Sequence, residues 1–194
     1  MKVLILTADG FEESEVLAPH HRMKEEGIDV DIASLVRGRV TGKHGQGVEA
    51  RLGIDEVRTQ DYDALILPGG KAPATLRKSR AVLEIVRAFF DAGKPICAIC
   101  HGPQILVSAG ILTGRSATCY ATVADELRAA GAHYQNSDVV VDGSIVTSRQ
   151  PADLPAFLRE TLRKLREWQA RSAGARDLGG PLADDLARPA RARR

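Results

Sequence analysis

The sequence predicts an α/β fold with a mostly parallel sheet that is covered by helices on both faces. Two observations lead to this prediction. Short, continuous apolar runs of strand length recur along the chain, and such runs are typical of strands buried on both faces. Stretches with the periodicity of amphipathic helices separate these runs, and this alternation favours parallel strands joined by helical crossovers.

The predicted elements follow that order along the chain. The strands are residues 2–8, 29–34, 63–70 and 95–99, with β-hairpins at 39–51 and 138–148. The helices are residues 12–26, 81–92, a segment that begins at Pro103, and 151–169. Gly27 is expected to end the first helix, because glycine readily adopts the left-handed conformation of a helix C-cap. Asp142 and Gly143 are expected to form the turn of the second hairpin.

Length and composition indicate a single globular domain without a membrane or nucleic-acid partner. The chain has 194 residues, of which 44% are hydrophobic and 27% charged, and its formal net charge is +2. No apolar run approaches the roughly 18 residues that a membrane-spanning helix needs. Acidic residues follow the first apolar run, where a signal peptide would have its cleavage site. Three cysteines without metal-like spacing favour a reducing compartment, so we expect a cytoplasmic protein.

The C-terminal part of the chain differs in composition from the rest. We expect a domain over residues 1–170 and an appendage over residues 171–194, which is basic and rich in Ala, Gly and Pro. A solvated tail is the simplest interpretation, and the alternatives are an arm that binds a neighbouring subunit and a basic tail that touches nucleic acid.

Three loops are expected to meet at one edge of the sheet, because ligands of such folds bind beyond the carboxyl ends of the strands. They follow the strands that end near residues 8, 70 and 99. The third loop contains the sequence AICHG, in which small residues flank Cys100 as in a nucleophile elbow. Cys100 would then lie at a helix N-terminus, which is expected to lower its pKa. The alternative is that Cys100 is a buried structural cysteine.

The sequence around this loop resembles the ThiJ/PfpI superfamily, and most closely its PfpI group of intracellular proteases and deglycases. Seven motifs carry the resemblance over about 165 residues: AICHGPQIL at 98–106, FEESE at 11–15, RMKEEG at 22–27, TGKHG at 41–45, DALILPGG at 63–70, SAGIL with GR at 108–115, and VVVDG at 139–143. The resemblance implies a flavodoxin-like three-layer sandwich of the class I glutamine amidotransferase type.

The resemblance also implies roles for individual residues. Cys100 matches the nucleophile, His101 its acid–base partner, and Glu12 the carboxylic acid that contacts the sulfur. Gly70 and the His101 amide match the oxyanion hole, and Tyr120 matches an aromatic residue that lines the pocket. Two alternatives remain open: Glu12 only favours the N-terminus of its own helix, and Tyr120 only packs. Cys97 is expected in the core.

Two positions depart from the pattern of the PfpI proteases. There a glutamate from a neighbouring subunit completes a Cys-His-Glu triad, but this chain has Ala74 at that position. Gln150 replaces a histidine that often follows the Ser-Arg pair. A histidine without a carboxylate to orient it is a poorer base for acyl transfer, which weakens the prediction of a peptidase.

The function predicted first is therefore a cysteine-dependent stress-defence enzyme that acts on reactive carbonyls or early glycation adducts, as a deglycase or glutathione-independent glyoxalase. A cysteine peptidase is the first alternative, and a redox sensor or holding chaperone without enzymatic activity is the second. No cofactor and no metal are expected, since none of the other histidines has metal-ligand spacing. We expect a homodimer, and the resemblance also allows a hexamer.

Overall fold

The computed structural model describes the backbone of residues 1–177 and the side chains of residues 1–174. Its strands are β1 (Lys2–Leu6), β2 (Asp29–Ser34), β3 (Gly38–Thr41), β4 (Gly47–Ala50), β5 (Leu52–Gly53), β6 (Ala64–Leu67), β7 (Ile96–Ile99), β8 (Ser116–Ala117), β9 (His133–Tyr134), β10 (Val139–Asp142) and β11 (Ile145–Ser148). Its α-helices are α1 (Glu13–Glu25), α2 (Ala72–Leu76), α3 (Arg80–Asp91), α4 (Pro103–Ala109), α5 (Ala124–Ala129) and α6 (Leu154–Asp177).

The main sheet has seven strands in the order β10-β11-β7-β6-β1-β2-β5. Every neighbouring pair is parallel except β10 and β11, which form an antiparallel hairpin at one edge. β1, β6 and β7 consist almost entirely of buried apolar residues, because helices shield both of their faces. The predicted fold class, a mostly parallel α/β sandwich, is confirmed.

The strand order explains why the helices cover both faces. The crossover from β1 to β2 moves toward one edge of the sheet, whereas the crossover from β6 to β7 moves toward the other. Since both crossovers are expected to be right-handed, α1 and α3 lie on opposite faces. α6 packs beside α1, and α4 packs beside α3.

The chain reverses its direction of travel across the sheet between β1 and β6, and α/β folds bind ligands at such a switch point. The loops that follow β1 and β6 touch each other there through a bridge between Phe11 and Gly70. The loop after β7 lies next to them, since β7 pairs with β6. The structure therefore brings the three predicted loops together.

Several details differ from the prediction. α6 continues to Asp177, past the boundary expected at residue 170, and the rest of the predicted tail lies outside the described residues. The second hairpin turns through Gly143 and Ser144, because Asp142 still pairs with Ile145. The short elements β5, α2 and α5 lack enough length to show a periodicity. No described helix is long and apolar enough to cross a membrane.

Candidate active site

Cys100 sits on a sharp turn between β7 and α4. Its φ is +63°, and no other non-glycine residue in the described part of the chain has a positive φ. Such a conformation costs on the order of 1–3 kcal/mol, so the surroundings must hold it in place. The Cys100 N–H donates to Ser148 O at 3.0 Å, and the Tyr120 N–H donates to Cys100 O at 2.9 Å. The predicted elbow is present.

Two glycines make this turn sterically possible. A side chain at Gly102 would collide with the carbonyl oxygen of Leu67. A Cβ at Gly69 would lie 2.6 Å from the Cys100 Cβ and 2.7 Å from Oε2 of Glu15. Only glycine fits at both positions, because the approaching groups are backbone or buried side chain.

The Cys100 sulfur is nearly buried, with 7% of the residue exposed. Nδ1 of His101 lies 3.2 Å from Sγ. The backbone N–H groups of Gly70 and His101 favour the ionised form of the sulfur and so act to lower the pKa of the thiol. The structure thus brings together Cys100, His101 and Gly70, and the oxyanion-hole role of these amides stays a prediction.

The carboxyl group that contacts the sulfur belongs to Glu15, and the placement of Glu12 at the sulfur was wrong. Glu15 is fully buried, and its side chain is within hydrogen-bonding distance of the Cys100 thiol. Its Oε2 accepts a hydrogen bond from the Gly69 N–H at 2.7 Å. Its Oε1 makes no hydrogen bond within the described residues.

Glu12 instead forms an ion pair with Lys43. It is the N-cap residue of α1 and makes no side-chain hydrogen bond to the end of the helix, although its Oε1 accepts from the Ser14 hydroxyl at 3.1 Å. The alternative role considered for Glu12, favouring the start of its own helix, has no capping hydrogen bond to support it.

Lys43 was not assigned a role from the sequence, although it belongs to the motif TGKHG. It lies at the tip of the β3–β4 hairpin, which docks on the loop after β1. The Lys43 N–H donates to Phe11 O at 2.9 Å, and Gly10 N–H donates to Thr41 O at 2.7 Å. The negative charges of Glu12, Cys100 and Glu15 raise the pKa of Lys43. Lys43 is therefore the cation of the site.

The expected lowering of the Cys100 pKa is not found. Burial and the nearby Glu15 raise the pKa of the thiol to about 12, and the two amides only partly offset them. Burial also raises the pKa of Glu15 to about 7. The two groups titrate as one pair because each charge opposes the other. Between these two values, the pair holds one proton and one negative charge.

His101 is expected to be neutral, because burial and the nearby Lys43 lower its pKa. Its ring stacks on Tyr120 with centroids 5.1 Å apart, and Tyr120 is 37% exposed. No carboxylate hydrogen-bonds to the His101 ring within the described residues. Ala74 is exposed and offers no acid, so nothing in the described chain supplies the third member of a peptidase triad.

The other two cysteines have neither the positive φ of Cys100 nor its interaction with Glu15. Cys97 and Cys119 are both fully buried, and burial raises the pKa of each to about 12. Cys97 lies in β7 within the core, as predicted. All three thiols are free.

Glu12, Glu13 and His44 are the one described group that has metal-ligand geometry, with potential ligand atoms within 4.8 Å of one another. Protein partners already engage them: Glu12 pairs with Lys43, and Glu13 accepts from the His44 N–H at 2.6 Å and lies 2.9 Å from its Nδ1. Because protein groups already contact these ligand atoms, nothing here favours a metal, and the expectation of no metal stays a prediction.

The ionisation of Glu15 predicts a pH dependence of stability. Its pKa is 4.5 in the unfolded chain and about 7 in the fold. As pH rises, the unfolded chain releases this proton at a lower pH than the folded chain does. The free energy of unfolding therefore falls by about 3 kcal/mol between pH 4.5 and 7. We expect urea unfolding to show this fall for wild type relative to Glu15→Gln. If the free energies of unfolding of wild type and Glu15→Gln differed by a constant amount over this pH range, Glu15 would ionise in the fold as it does in the unfolded chain.

Comparison with known proteins places the site in a family. A model of the DJ-1/PfpI family matches residues 1–164. Deglycase TK1284 of Thermococcus kodakarensis is 51% identical over 166 residues, which are 86% of this chain and 100% of that protein. Deglycase PfpI of Pyrococcus furiosus is 49% identical with the same coverage.

A solved structure shows the same fold. A two-domain protein of Anabaena variabilis, with a DJ-1/ThiJ/PfpI-like and a ferritin-like domain, is similar with a TM-score of 0.83 and 32% identity. The match covers 84% of this chain and 48% of that protein, so this chain spans about half of its length.

Proposed function

The chain belongs to the DJ-1/PfpI family, and we propose that it is a deglycase that uses Cys100 to remove reactive 2-oxoaldehydes, free or as early adducts, in the cytoplasm. The family membership confirms the resemblance seen in the sequence. Relatives named deglycases, at about half identity over their whole length, support the activity. Three free thiols support a reducing compartment.

The observation that carries the proposal is the contact between a strained, nearly buried thiol and a buried carboxyl group with a raised pKa. The Cys100 thiol gives its proton to the Glu15 carboxylate as the sulfur adds to the aldehyde carbon, and Glu15 then gives this proton to the new oxyanion. In this proposal the amides of Gly70 and His101 stabilise the oxyanion. The product of this step is a hemithioacetal.

The remaining steps need only proton transfers and water. A base removes the proton from the former aldehyde carbon, and the neighbouring ketone carbon receives a proton, which converts the hemithioacetal into a thioester of the 2-hydroxyacid. His101, neutral and 3.2 Å from the sulfur, is the candidate base. Water then hydrolyses the thioester and frees the thiol. Methylglyoxal plus water thus becomes lactate without an external oxidant or reductant.

Early adducts enter by the same route. An adduct of an amine or thiol with methylglyoxal is in equilibrium with its two components. When the protein consumes the free aldehyde, this equilibrium shifts toward dissociation of the adduct. The amine or thiol is recovered unchanged. We propose that the protein acts as a homodimer at least, with small carbonyl compounds or glycated molecules as its substrates.

We expect the wild-type protein to convert methylglyoxal and to restore N-acetyl-lysine and N-acetyl-cysteine from their methylglyoxal adducts, while barely cleaving chromogenic peptides. An aldehyde is more electrophilic than an amide and expels no amine, so it needs less help from His101 than peptide cleavage does. Lactate formation without glutathione, recovery of the free amino acid and peptide cleavage are measured side by side.

Two results would contradict the proposal. Robust peptide cleavage that disappears in Cys100→Ala would identify the protein as a peptidase. Absence of both lactate formation and peptide cleavage, with a folded protein, would favour the sensor or chaperone alternative. A parallel assay with lysozyme as an inert protein controls for spontaneous decay of the adducts.

A further inference from the structure

A single carboxylate in α5 joins three helices beside the elbow. Oε1 of Glu126 accepts a hydrogen bond from the guanidinium group of Arg77, the C-cap residue of α2, and Oε2 accepts from Nε2 of Gln104 in α4 at 2.9 Å. Nε of Arg77 also donates to the hydroxyl of Ser108 in α4 at 2.8 Å. The Arg77 side chain is 23% exposed and that of Glu126 is 32% exposed, so solvent screens their charges only in part.

Each of these helices directly follows a segment of the site. α2 begins two residues after Gly70, and α4 begins two residues after His101. α5 follows Tyr120 through a short 3₁₀ turn, in which the Val123 N–H donates to Tyr120 O at 2.8 Å. Glu126 is therefore the point at which the segments that carry Gly70, His101 and Tyr120 are tied together.

The Tyr120 ring covers one face of the imidazole that approaches the nucleophile. The two rings stack with centroids 5.1 Å apart and an interplanar angle of 29°, and Nδ1 of His101 lies 3.2 Å from Sγ of Cys100. The Tyr120 side chain makes no hydrogen bond within the described residues, and 37% of the residue is exposed. Because no hydrogen bond holds the ring itself, the backbone from Tyr120 to Glu126 decides where the ring lies against His101.

Glu126 is suited to holding this backbone in place. Although burial raises the pKa of its carboxyl group, the hydrogen bonds from Arg77 and Gln104 bring the pKa below its ordinary value, so Glu126 is an anion at neutral pH. A carboxylate offers one acceptor oxygen to each helix, and its hydrogen bond with the guanidinium group is charge-assisted. Asp125 differs, since it pairs with Arg128 inside α5 and its side chain is 98% exposed.

We propose that Glu126 is a positioning residue for the reaction: by tying α5 to α2 and α4 it holds the Tyr120 ring on the His101 imidazole, and the stacked ring keeps Nδ1 of His101 directed at the Cys100 sulfur. Glu126 makes no hydrogen bond to Cys100 or His101 within the described residues, so it acts through Tyr120. A base must be aligned with the proton that it removes, and a displacement of about 1 Å can lower a rate by about 10²-fold.

The inference rests on the proposed role of His101 as the base. Its first readout is the nuclear magnetic resonance signal of the His101 imidazole C–H protons, which needs no substrate. If this signal responds to Glu126 as expected in a protein that forms no lactate, the proposed function fails and the positioning role of Glu126 stands.

An aromatic ring stacked on an imidazole shields the imidazole protons, so the His101 signal reports the contact directly. The signal is assigned with His101→Gln and read at high pH, where the imidazole is neutral in every variant. We expect Glu126→Ala to move the signal downfield, toward its position in Tyr120→Leu. Glu126→Gln can still bridge the helices through its amide oxygen and N–H groups, so its signal should stay near that of wild type, as should that of Asp125→Ala.

Lactate formation from methylglyoxal is the second readout. We expect Glu126→Ala to lower turnover about tenfold in the wild-type background, because His101 is no longer held in alignment. In the Tyr120→Leu background the same substitution should lower turnover by less than about twofold, because no ring is left to position. A purely structural role of Glu126 would give the same loss in both backgrounds.

Three results would overturn the proposal. A His101 signal at its wild-type position in folded Glu126→Ala would show that the ring does not depend on Glu126. Equal losses of turnover in the two backgrounds would show that Glu126 does not act through Tyr120. A shift of the signal in Asp125→Ala as large as that in Glu126→Ala would show a general effect of charge on α5. Circular dichroism checks each fold, and if Glu126→Ala does not fold, Gln104→Met, which removes the bridge to α4 alone, is held to the same expectations.

Discussion

We expect Cys100→Ala to lower lactate formation from methylglyoxal by about 10³-fold or more, because removal of the proposed nucleophile leaves only binding and electrostatic stabilisation. In the proposed mechanism the Cys100 sulfur is the atom that forms the bond to the aldehyde. The fold should persist, since the Cys100 side chain is small and alanine keeps the backbone without a larger group. Initial rates of lactate formation, measured without glutathione, give the result.

Cys97→Ala is the matched control for this variant. Cys97 lies three residues earlier in the same chain segment and is also buried, so its loss tests whether any cysteine near the elbow matters. We expect its turnover to stay within about threefold of wild type, with a modest loss of stability from the vacated volume. Equal losses in Cys97→Ala and Cys100→Ala would contradict the assignment of the nucleophile.

We expect Glu15→Gln to lower turnover by about 10²–10⁴-fold, the usual contribution of a positioned acid or base. Glutamine has nearly the same shape but cannot hold the transferable proton, so the thiol loses its partner for ionisation and the oxyanion loses its proton donor. Glu12→Gln, the matched control three residues earlier, should lose far less turnover, because Glu12 pairs with Lys43 and acts on Glu15 through its charge alone. Turnover and thiol alkylation are measured for both variants.

The contrast between the two glutamates is the decisive part of this experiment. A larger loss in Glu12→Gln than in Glu15→Gln would show that the catalytic acid is the one first inferred from the sequence. Equal and small losses of turnover in the two variants would show that neither carboxyl group transfers a proton. The thermal unfolding of both variants distinguishes a chemical effect from a loss of structure.

The sequence allowed the fold to be predicted because its strands are short, apolar and separated by periodic helices. The runs at β1, β6 and β7 are buried on both faces, and this burial leaves a continuous apolar signal. The end of α6 could not be predicted, since no glycine or proline follows residue 169 until Gly174 and the helix simply continues.

The elbow could be predicted from local sequence, whereas its carboxyl partner could not. Small residues beside Cys100 indicate a sharp turn without reference to the rest of the chain. Three glutamates lie within residues 12–15, and only the phase of α1 decides which of them points inward. Glu15 precedes the buried Pro19 and Met23 by four and eight residues, so it shares their face of the helix. That spacing was the available signal.

The ionisation of the site depends on long-range contacts that sequence alone does not specify. A helix N-terminus suggested a lower Cys100 pKa, but Glu15 from α1 and the depth of burial act in the opposite direction. Lys43 comes from a hairpin that is separate from the main sheet, and its approach to Cys100 follows from tertiary docking rather than from any local pattern.

The most direct test of the account is an infrared measurement of where the shared proton resides, at a pH between about 7 and about 12. Difference spectra of wild type against Glu15→Gln and against Cys100→Ala isolate the C=O stretch of a protonated Glu15 and the S–H stretch of Cys100. We expect an S–H band that is lost in Cys100→Ala and no carboxylic-acid C=O band that is lost in Glu15→Gln, because the pKa of Glu15 lies below that of Cys100. A carboxylic-acid C=O band from Glu15 without an S–H band from Cys100 would contradict this assignment.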